Sequence, residues 1–392
     1  MKKKLFLHIG GHKTGSTSIQ RALFAAKDIL DKNNFSYFCE SIFGDIRPIP
    51  YSWVQLSRNE KERTFNAEVK DKESLFRKLS ELNDNVIFSC EHLSWQVSEK
   101  EKMEIYSQAK GFFDDICVVV YIRRQDQLAI SHHQQGSKHL INSSETFYYG
   151  NSEKALPRHG DGVFDYLDFN EKISMWADIF GDENIIIRIL DRDKLIEGDV
   201  VKDFLYSIGL DSSEISAKKV NESNGFERTK VGHLINQVFK HENTVTKLIR
   251  KGTDNHGKML PSKQEAMKFY EKYKLSNESL NERFKINKVG DIFSNDFSMY
   301  PDKEMDVWDD GMANKAIINI LESIKPLAKF ETRSITYNDL FKKAVSLENI
   351  NIHTAYEIMK LAQQANPEGV GIKSKLDQYE NIINKNKIIT PV

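Results

Sequence analysis

Four short apolar runs rich in β-branched residues stand out in the first half of the chain: Lys4 to Ile9, Asn85 to Ser89, Ile116 to Ile122 and Asn184 to Leu190. Continuous apolar runs of this length read as strands buried in a parallel sheet. Between and after them the period changes. In TSIQRALFAAKDIL, Ile19, Leu23, Ala26 and Leu30 recur every three or four residues, which places them on one face of a helix. Strands alternating with helices predict an α/β fold, a P-loop-like doubly wound parallel sheet flanked by helices.

The pattern lapses between residues 134 and 170. This polar stretch carries FYYGNSEKALPRHGDGVFDY and is too long for an ordinary connection. It is a candidate acceptor-binding loop. After Leu210 the chain turns helical and charged, interrupted at RKGTDNHGKMLP (250–261) and at the segment ending at Pro301. We therefore expect a main domain over residues 1–305 and a C-terminal helical extension over 306–392. In the extension, two amphipathic helices broken at Asn366, Pro367 and Gly369 resemble one helical-repeat hairpin. One hairpin cannot make a solenoid, so it is expected to pack on the main domain, and its helices offer a route to homo-oligomers.

Composition narrows the partners. With 392 residues, 40% of them hydrophobic, the chain can bury a large core, as soluble globular proteins do. Lys plus Arg at 56 nearly cancel Asp plus Glu at 57, so no global field steers the protein to nucleic acid or to an acidic membrane, and any anion site must be local. Three cysteines at irregular spacing, without a CxxC pair, fit a reducing compartment and a cytoplasmic location. The opening MKKKLFLHIGG is basic, but its apolar run is short and no cleavage site follows, so a signal peptide is not expected. No run of 18 apolar residues exists to span a membrane.

The chemistry concentrates in HIGGHKTGSTSIQ, residues 8–20, which joins the first strand to the first helix. Gly10, Gly11 and Gly15 let the backbone turn so that free amides point at an anion. Compared with the triphosphate loop GxxxxGK[ST], Gly10 and Gly15 keep the spacing, but Ser16 stands where the lysine belongs, Thr17 follows, and the cation has moved to Lys13. Triphosphate enzymes also need magnesium, held partly by an acid after a second core strand. Here the VVVYI strand ends in Arg123 and Arg124. A cationic strand end suits a second phosphate better than a metal ion. After the Asn85–Ser89 strand, SCEHLSW offers Glu91 and His92 as general bases, on the same carboxyl edge of the sheet as Lys13 and Arg123.

The run GHKTGSTSIQ resembles the 5′-phosphosulfate loop of sulfotransferases that use 3′-phosphoadenosine 5′-phosphosulfate, especially bacterial members related to carbohydrate sulfotransferases. RRQDQLAIS resembles their 3′-phosphate motif, an arginine at a strand end and a serine eight residues later: Arg123 and Ser131. The likeness extends over roughly residues 4 to 290 and includes VNESN at 220–224. It implies that Gly11, His12, Lys13, Thr14, Gly15, Ser16 and Thr17 hold the 5′-phosphosulfate and that Arg123 and Ser131 hold the 3′-phosphate. It further implies that Arg250, Lys251 and Gly252 cover the 3′-phosphate and adenine. Glu91 would be the base, with His92 the other candidate, and Lys13 would stabilise the departing phosphate. The product would be adenosine 3′,5′-bisphosphate, the acceptor a carbohydrate hydroxyl of polysaccharide biosynthesis, and no metal would be required.

Other readings compete. A P-loop kinase or nucleotide hydrolase with a degenerate lysine position would need magnesium and a triphosphate, and a non-catalytic binding protein could keep the same fold. Residue by residue, Arg124 reads as a surface charge closing its strand, and Glu91 could cap the helix after its strand. The adjacent His132 and His133 must point in different directions and read as solvated or hydrogen-bonded. Trp95 and the Tyr148–Tyr149 pair could stack on sugar or fill a core rim, whereas Trp176 reads as core.

Overall fold

The computed structural model describes residues 3–59, 64–83, 85–138, 150–158, 160–211, 215, 224–331, 336–369 and 371–388. The chain divides into two compact units, Met1–Ile320 and Leu321–Val392.

In the first unit, β1 (Lys4–Gly10) leads through α1 (Ser16–Ala25) and α2 (Lys27–Lys32) to the short β2 (Phe35–Tyr37). A hairpin of β3 (Val54–Asn59) and β4 (Thr64–Val69) precedes α3 (Lys72–Ser80) and β5 (Asn85–Ser89). A 3₁₀ turn, Glu91–Ser94, then leads to α4 (Glu99–Lys110), β6 (Asp115–Ile122) and α5 (Gln125–Gly136). Next come α6 (Asp161–Leu167), α7 (Phe169–Phe180), β7 (Ile185–Ile189) and α8 (Val200–Ser207). Four more helices follow, α9 (Phe226–Val238), α10 (Thr244–Gly252), α11 (Lys263–Glu271) and α12 (Lys274–Phe284), and α13 (Asp310–Glu331) begins in this unit and ends in the second.

Five strands form one sheet in the order β2-β5-β1-β6-β7, and every pairing in it is parallel. The expected α/β sheet flanked by helices is therefore observed. Its centre is β1, whose side chains alternate between two cores as a period of two requires. Leu5, Leu7 and Ile9 join the larger cluster with Trp176, which is core as expected, while Phe6 packs with Ile19, Leu23 and Phe204 on the other face. Burial on both faces explains why β1, β5 and β6 are near-continuous apolar runs. The fourth apolar run, β7, is an edge strand and is only half-buried, its Arg188 reaching Asp203 of α8. Sequence periodicity gave no sign of β2, which is three residues long, or of the β3–β4 hairpin, where polar residues outnumber apolar ones.

The second unit holds α14 (Tyr337–Leu347), α15 (Ile352–Ala365) and α16 (Ile372–Ile388). The last two coincide with the helices expected on either side of Asn366, Pro367 and Gly369. Ala344, Ala355, Met359, Ala362, Ile372, Leu376 and Tyr379 form a core of their own there.

Candidate active site

The carboxyl ends of β5, β1 and β6 lie side by side, and the chain leaves β1 for one edge of the sheet and later returns past it to the other. Such a switch point leaves a crevice at the strand ends. The loop from Gly10 to Gly15 sits there and fits tightly. Gly10 has φ +79°, and a Cβ on it would lie 2.8 Å from the Cβ of Glu91. A Cβ on Gly11 would collide with the carbonyl oxygen of Tyr121 on β6. The glycines are therefore required by the close approach of the loop to both neighbouring strands. Lys13 also takes a left-handed conformation, φ +59°, which non-glycine residues seldom adopt.

The loop ends on the N-terminus of α1, which carries no side-chain cap and no acid in its first turn. Its orphan N–H groups and its dipole favour an anion. Of the loop side chains, Thr14 donates to the Gly11 carbonyl and is spent on the turn itself. His12 is buried, its Nδ1 2.7 Å from the Tyr166 hydroxyl and 2.6 Å from Ser94 Oγ, and burial holds it neutral, with His92, Lys172 and Lys13 nearby shifting it the same way. The Thr17 and Ser131 hydroxyls have no protein partner among the described residues.

Helix α5 explains how Arg123 and Ser131 come to lie on one line. Its residues are buried except along one line: Gln127, Ser131, Gln134 and Gln135, continued by Arg123 before the helix and Lys138 after it. Spacings of three and four put these polar side chains on a single stripe. The guanidinium of Arg123 donates to Gln127 at 3.3 Å, and Lys13 Nζ donates to Gln135 at 3.2 Å, so the loop lysine docks onto that stripe. Burial pushes Lys13 down to about 8; Lys138 and Arg123 push the same way and Glu91 opposes. The site therefore gathers cations without a matching number of anions. Beyond Arg123 and Gln127 it opens into a cavity of about 400 Å³ lined by Leu190, Asp191, Leu195 and Phe293 among others.

Glu91 faces the loop. Ser16 Oγ donates to one carboxylate oxygen, and the Tyr51 hydroxyl donates to the other at 2.7 Å. The carboxylate thus does not cap its own 3₁₀ turn, whose N-cap is Cys90. Burial, followed by the Glu91 charge, raises the Tyr51 phenol far above its ordinary value, so it stays a donor. The Tyr51 ring stacks on His92 at 4.2 Å and 13°, and His92 Nδ1 lies 3.4 Å from the Val54 carbonyl oxygen. Burial lowers His92, which keeps it neutral at pH 7.

No protein-family model matches the chain. An uncharacterized protein of Archaeoglobus fulgidus is 31% identical over 176 residues, which cover 42% of this chain and 44% of that protein, so the chain spans less than half the length of that relative. A solved structure of a sulfotransferase from Alicyclobacillus acidocaldarius aligns over 73% of this chain and 97% of that one, with a TM-score of 0.39 and 10% identity. So loose an overlap leaves the site to be argued from its own residues.

Those residues divide into two groups. Ser16 bonds Glu91, Lys13 lies close enough to Glu91 and Arg123 to feel both charges and docks on the Ser131 stripe at Gln135, Thr17 lies in the first turn of α1, and His92 follows Glu91. Arg250, Lys251 and Gly252 are not brought to Arg123. They form the last turn of α10 rather than a loop, and Lys251 and Gly252 are exposed. Arg250 donates to the Ser137 carbonyl and, at 2.8 Å, to Asn236, and pairs with Glu242 at 3.3 Å. Ser137 and Arg123 lie at opposite ends of α5, roughly 20 Å apart at 1.5 Å per residue.

Arg124 corrects the surface reading. It is 4% exposed and chelates Asp126 at 2.8 and 3.0 Å, donates to the carbonyls of Ser294 and Asp296, and lies on the Phe297 ring. Of the two readings for His132 and His133, solvated or hydrogen-bonded, burial removes the first, and His133 shows the second, its Nε2 2.6 Å from the Asn151 carbonyl oxygen. Trp95 is buried against His12, Phe65 and Tyr166.

Of the candidate acceptor loop, residues 139–149, Tyr148 and Tyr149 among them, lie outside the described residues, as does most of VNESN. Two groups escaped the sequence reading. Gln135 and Lys138 could have been found by extending the Arg123–Ser131 spacing along the helix. Tyr51, forty residues from Glu91, had no such signal. Among the described residues no cluster of His, Cys, Asp or Glu could hold a metal ion, and no helix is long and apolar enough to cross a membrane.

Proposed function

We propose that this chain is a sulfotransferase that moves a sulfuryl group from 3′-phosphoadenosine 5′-phosphosulfate to a carbohydrate hydroxyl in the cytoplasm. The observation that carries this reading is the stripe on α5: Arg123 and Ser131 two turns apart on the only open face of a buried helix, with Lys13 docked on the same line at Gln135. A donor with an anionic group at each end needs cations at two separated points, and a triphosphate with magnesium does not. The cavity beside Arg123, lined by Leu190, Leu195 and Phe293, has room for a purine.

In the reaction the acceptor oxygen attacks sulfur in line with the bond to the 5′-phosphate. The new S–O bond forms as the old one breaks, and the acceptor proton passes to the Glu91 carboxylate. Adenosine 3′,5′-bisphosphate leaves with the bonding pair on its phosphate oxygen. The Lys13 ammonium and the amides at the α1 N-terminus stabilise that growing charge. Tyr51 and Ser16 aim the carboxylate, each donating to one of its two oxygens. Ser16 belongs to the loop that holds the leaving group, so one hydroxyl ties the base to the donor. The three cysteines are buried and unpaired, as a reducing compartment would leave them.

Calorimetry tests the donor. Adenosine 3′,5′-bisphosphate should bind with a chelator present, and tighter binding of ATP with magnesium would favour a kinase instead. Turnover of labelled donor on a panel of sugars tests the reaction. Binding without transfer to any of them would leave a non-catalytic binding protein.

A further inference from the structure

A second cavity, of about 650 Å³, lies between the β3–β4 hairpin, the Trp95–Ser98 connection, α4 and α7. Lys102 of α4 and Lys172 of α7 both line it. Lys102 is 3% exposed, and its ammonium donates to the Val97 carbonyl, with only the Met175 sulfur at 3.9 Å and the Trp176 ring at 5.7 Å beyond that. Lys172 donates to the Tyr166 carbonyl at 2.7 Å and sits 3.7 Å over the Tyr166 ring. Each ammonium has three hydrogens to place and gives one to an oxygen.

The acids around the cavity do not neutralise them. Glu101 and Glu104 pair with Lys72 at 2.8 and 3.2 Å, and Glu101 also accepts the Val69 N–H. Glu68 and Glu171 are exposed at the rim beside Lys100, and Asp165 is half-exposed. Among the described residues neither Lys102 nor Lys172 has a carboxylate within 4.0 Å. Burial lowers Lys102 to about 8 despite Glu99 and Glu171, and lowers Lys172 to about 7, where the neighbouring Lys102 charge adds to burial and Asp168 opposes. Lys102 is buried and Lys172 half-buried, and like charges so placed without a paired carboxylate destabilise a fold. An oxyanion placed between them would remove that penalty. The rest of the wall suits a polyhydroxy ligand: Met175 offers an apolar contact, and Ser57, Asn66 and Gln96 offer hydrogen-bonding groups.

We propose that this cavity binds an acidic sugar, with carboxylate or sulfate-ester oxygens held between Lys102 and Lys172. Between this cavity and the donor loop stand the rings of Trp95 and Tyr166, packed against the loop's His12.

The test is calorimetry on the full chain with galacturonate, galactose 6-sulfate, galactose and inorganic sulfate. At least one acidic sugar should bind about tenfold more tightly than galactose and than free sulfate. Binding of galacturonate alone assigns a carboxylate, and of the sulfated sugar alone a sulfate ester. Lys102→Met and Lys172→Met should each weaken binding about tenfold while raising the unfolding temperature, because each removes an uncompensated buried charge. Lys13→Ala should bind acidic sugars as the unaltered chain does. Without any variant, the titration of Lys172 followed by NMR should move upward from about 7 when galacturonate is added. No saturable binding of either acid up to about 10 mM, equal binding by the double variant, or an unmoved Lys172 titration would overturn the assignment.

Discussion

The two ends of α5 each meet an arginine, and the two arginines behave differently. At the start of the helix Arg123 makes one long hydrogen bond, to Gln127, and borders a cavity. At its end Arg250 is fastened to Ser137, Asn236 and Glu242, over a floor of buried rings where His133 and His233 lie 4.3 Å apart. Both side chains are half-buried, so burial does not separate them. What separates them is the partner count: the charge of one is already answered by the protein, and that of the other is not. An uncompensated cation beside a cavity marks where ligand charge will sit, and a compensated one marks a joint in the scaffold.

The largest expected effect does not touch either arginine. Glu91→Gln should cost about 10²- to 10⁴-fold in turnover while leaving the dissociation constant of adenosine 3′,5′-bisphosphate nearly unchanged; a fully active variant would move the base to His92. The arginines then test the comparison itself. Arg123→Ala should weaken that ligand about 30-fold, equivalent to about 2 kcal/mol of charge-assisted hydrogen bonding, with little change in thermal unfolding. Arg250→Ala should do the reverse, losing about 2 kcal/mol of stability and leaving the affinity within about twofold. If both variants lose affinity equally, Arg250 belongs to the donor site and the distinction fails. Ser131→Ala, at the middle of the stripe, should weaken the ligand about fivefold.

The smallest effect is one of pH. The Lys13 ammonium is charged below about 8 and loses its proton above it, so affinity for the bisphosphate should fall as pH rises through 8. In Lys13→Ala that fall should disappear. The stability effect has the opposite sign. A lysine lowered in the folded chain holds its proton in the unfolded chain up to about 10.4, so its contribution to stability grows between pH 8 and about 10.4.

The sheet and the site were legible in the sequence to different depths. Strands β1, β5 and β6 announce themselves because burial on both faces demands unbroken apolar runs. Phe35–Tyr37 is too short to carry a period, and the β3–β4 hairpin has a wet face that dilutes one. In the site, glycine spacing and the Arg123–Ser131 interval are local quantities and could be read directly. The approach of Tyr51 to Glu91, the docking of Lys13 on Gln135 and the pairing of Lys102 with Lys172 across two helices depend on how distant segments pack. Arg250 misled for the complementary reason: a basic run in the expected order says nothing about whether Asn236 and Glu242 have already claimed it.

The central place of β1 has a kinetic side. Lys4 pairs with Asn85 on one flank and Asp115 on the other, separations of 85 − 4 = 81 and 115 − 4 = 111 residues. At a synthesis rate of roughly 5 to 20 residues per second, a strand finished at Gly10 waits about 6 to 22 s for Ile122 to be made. For about the first 4 to 16 s of that interval, until Ser89 is made, Phe6, Leu7 and Ile9 have neither sheet neighbour to cover them. The glycine loop packs against β6 as well, since a Cβ on Gly11 would meet the Tyr121 carbonyl, so that packing waits for β6. If the proposed donor site needs it, ribosome-bound fragments ending before Ile122 should show no protection of the loop from protease by adenosine 3′,5′-bisphosphate.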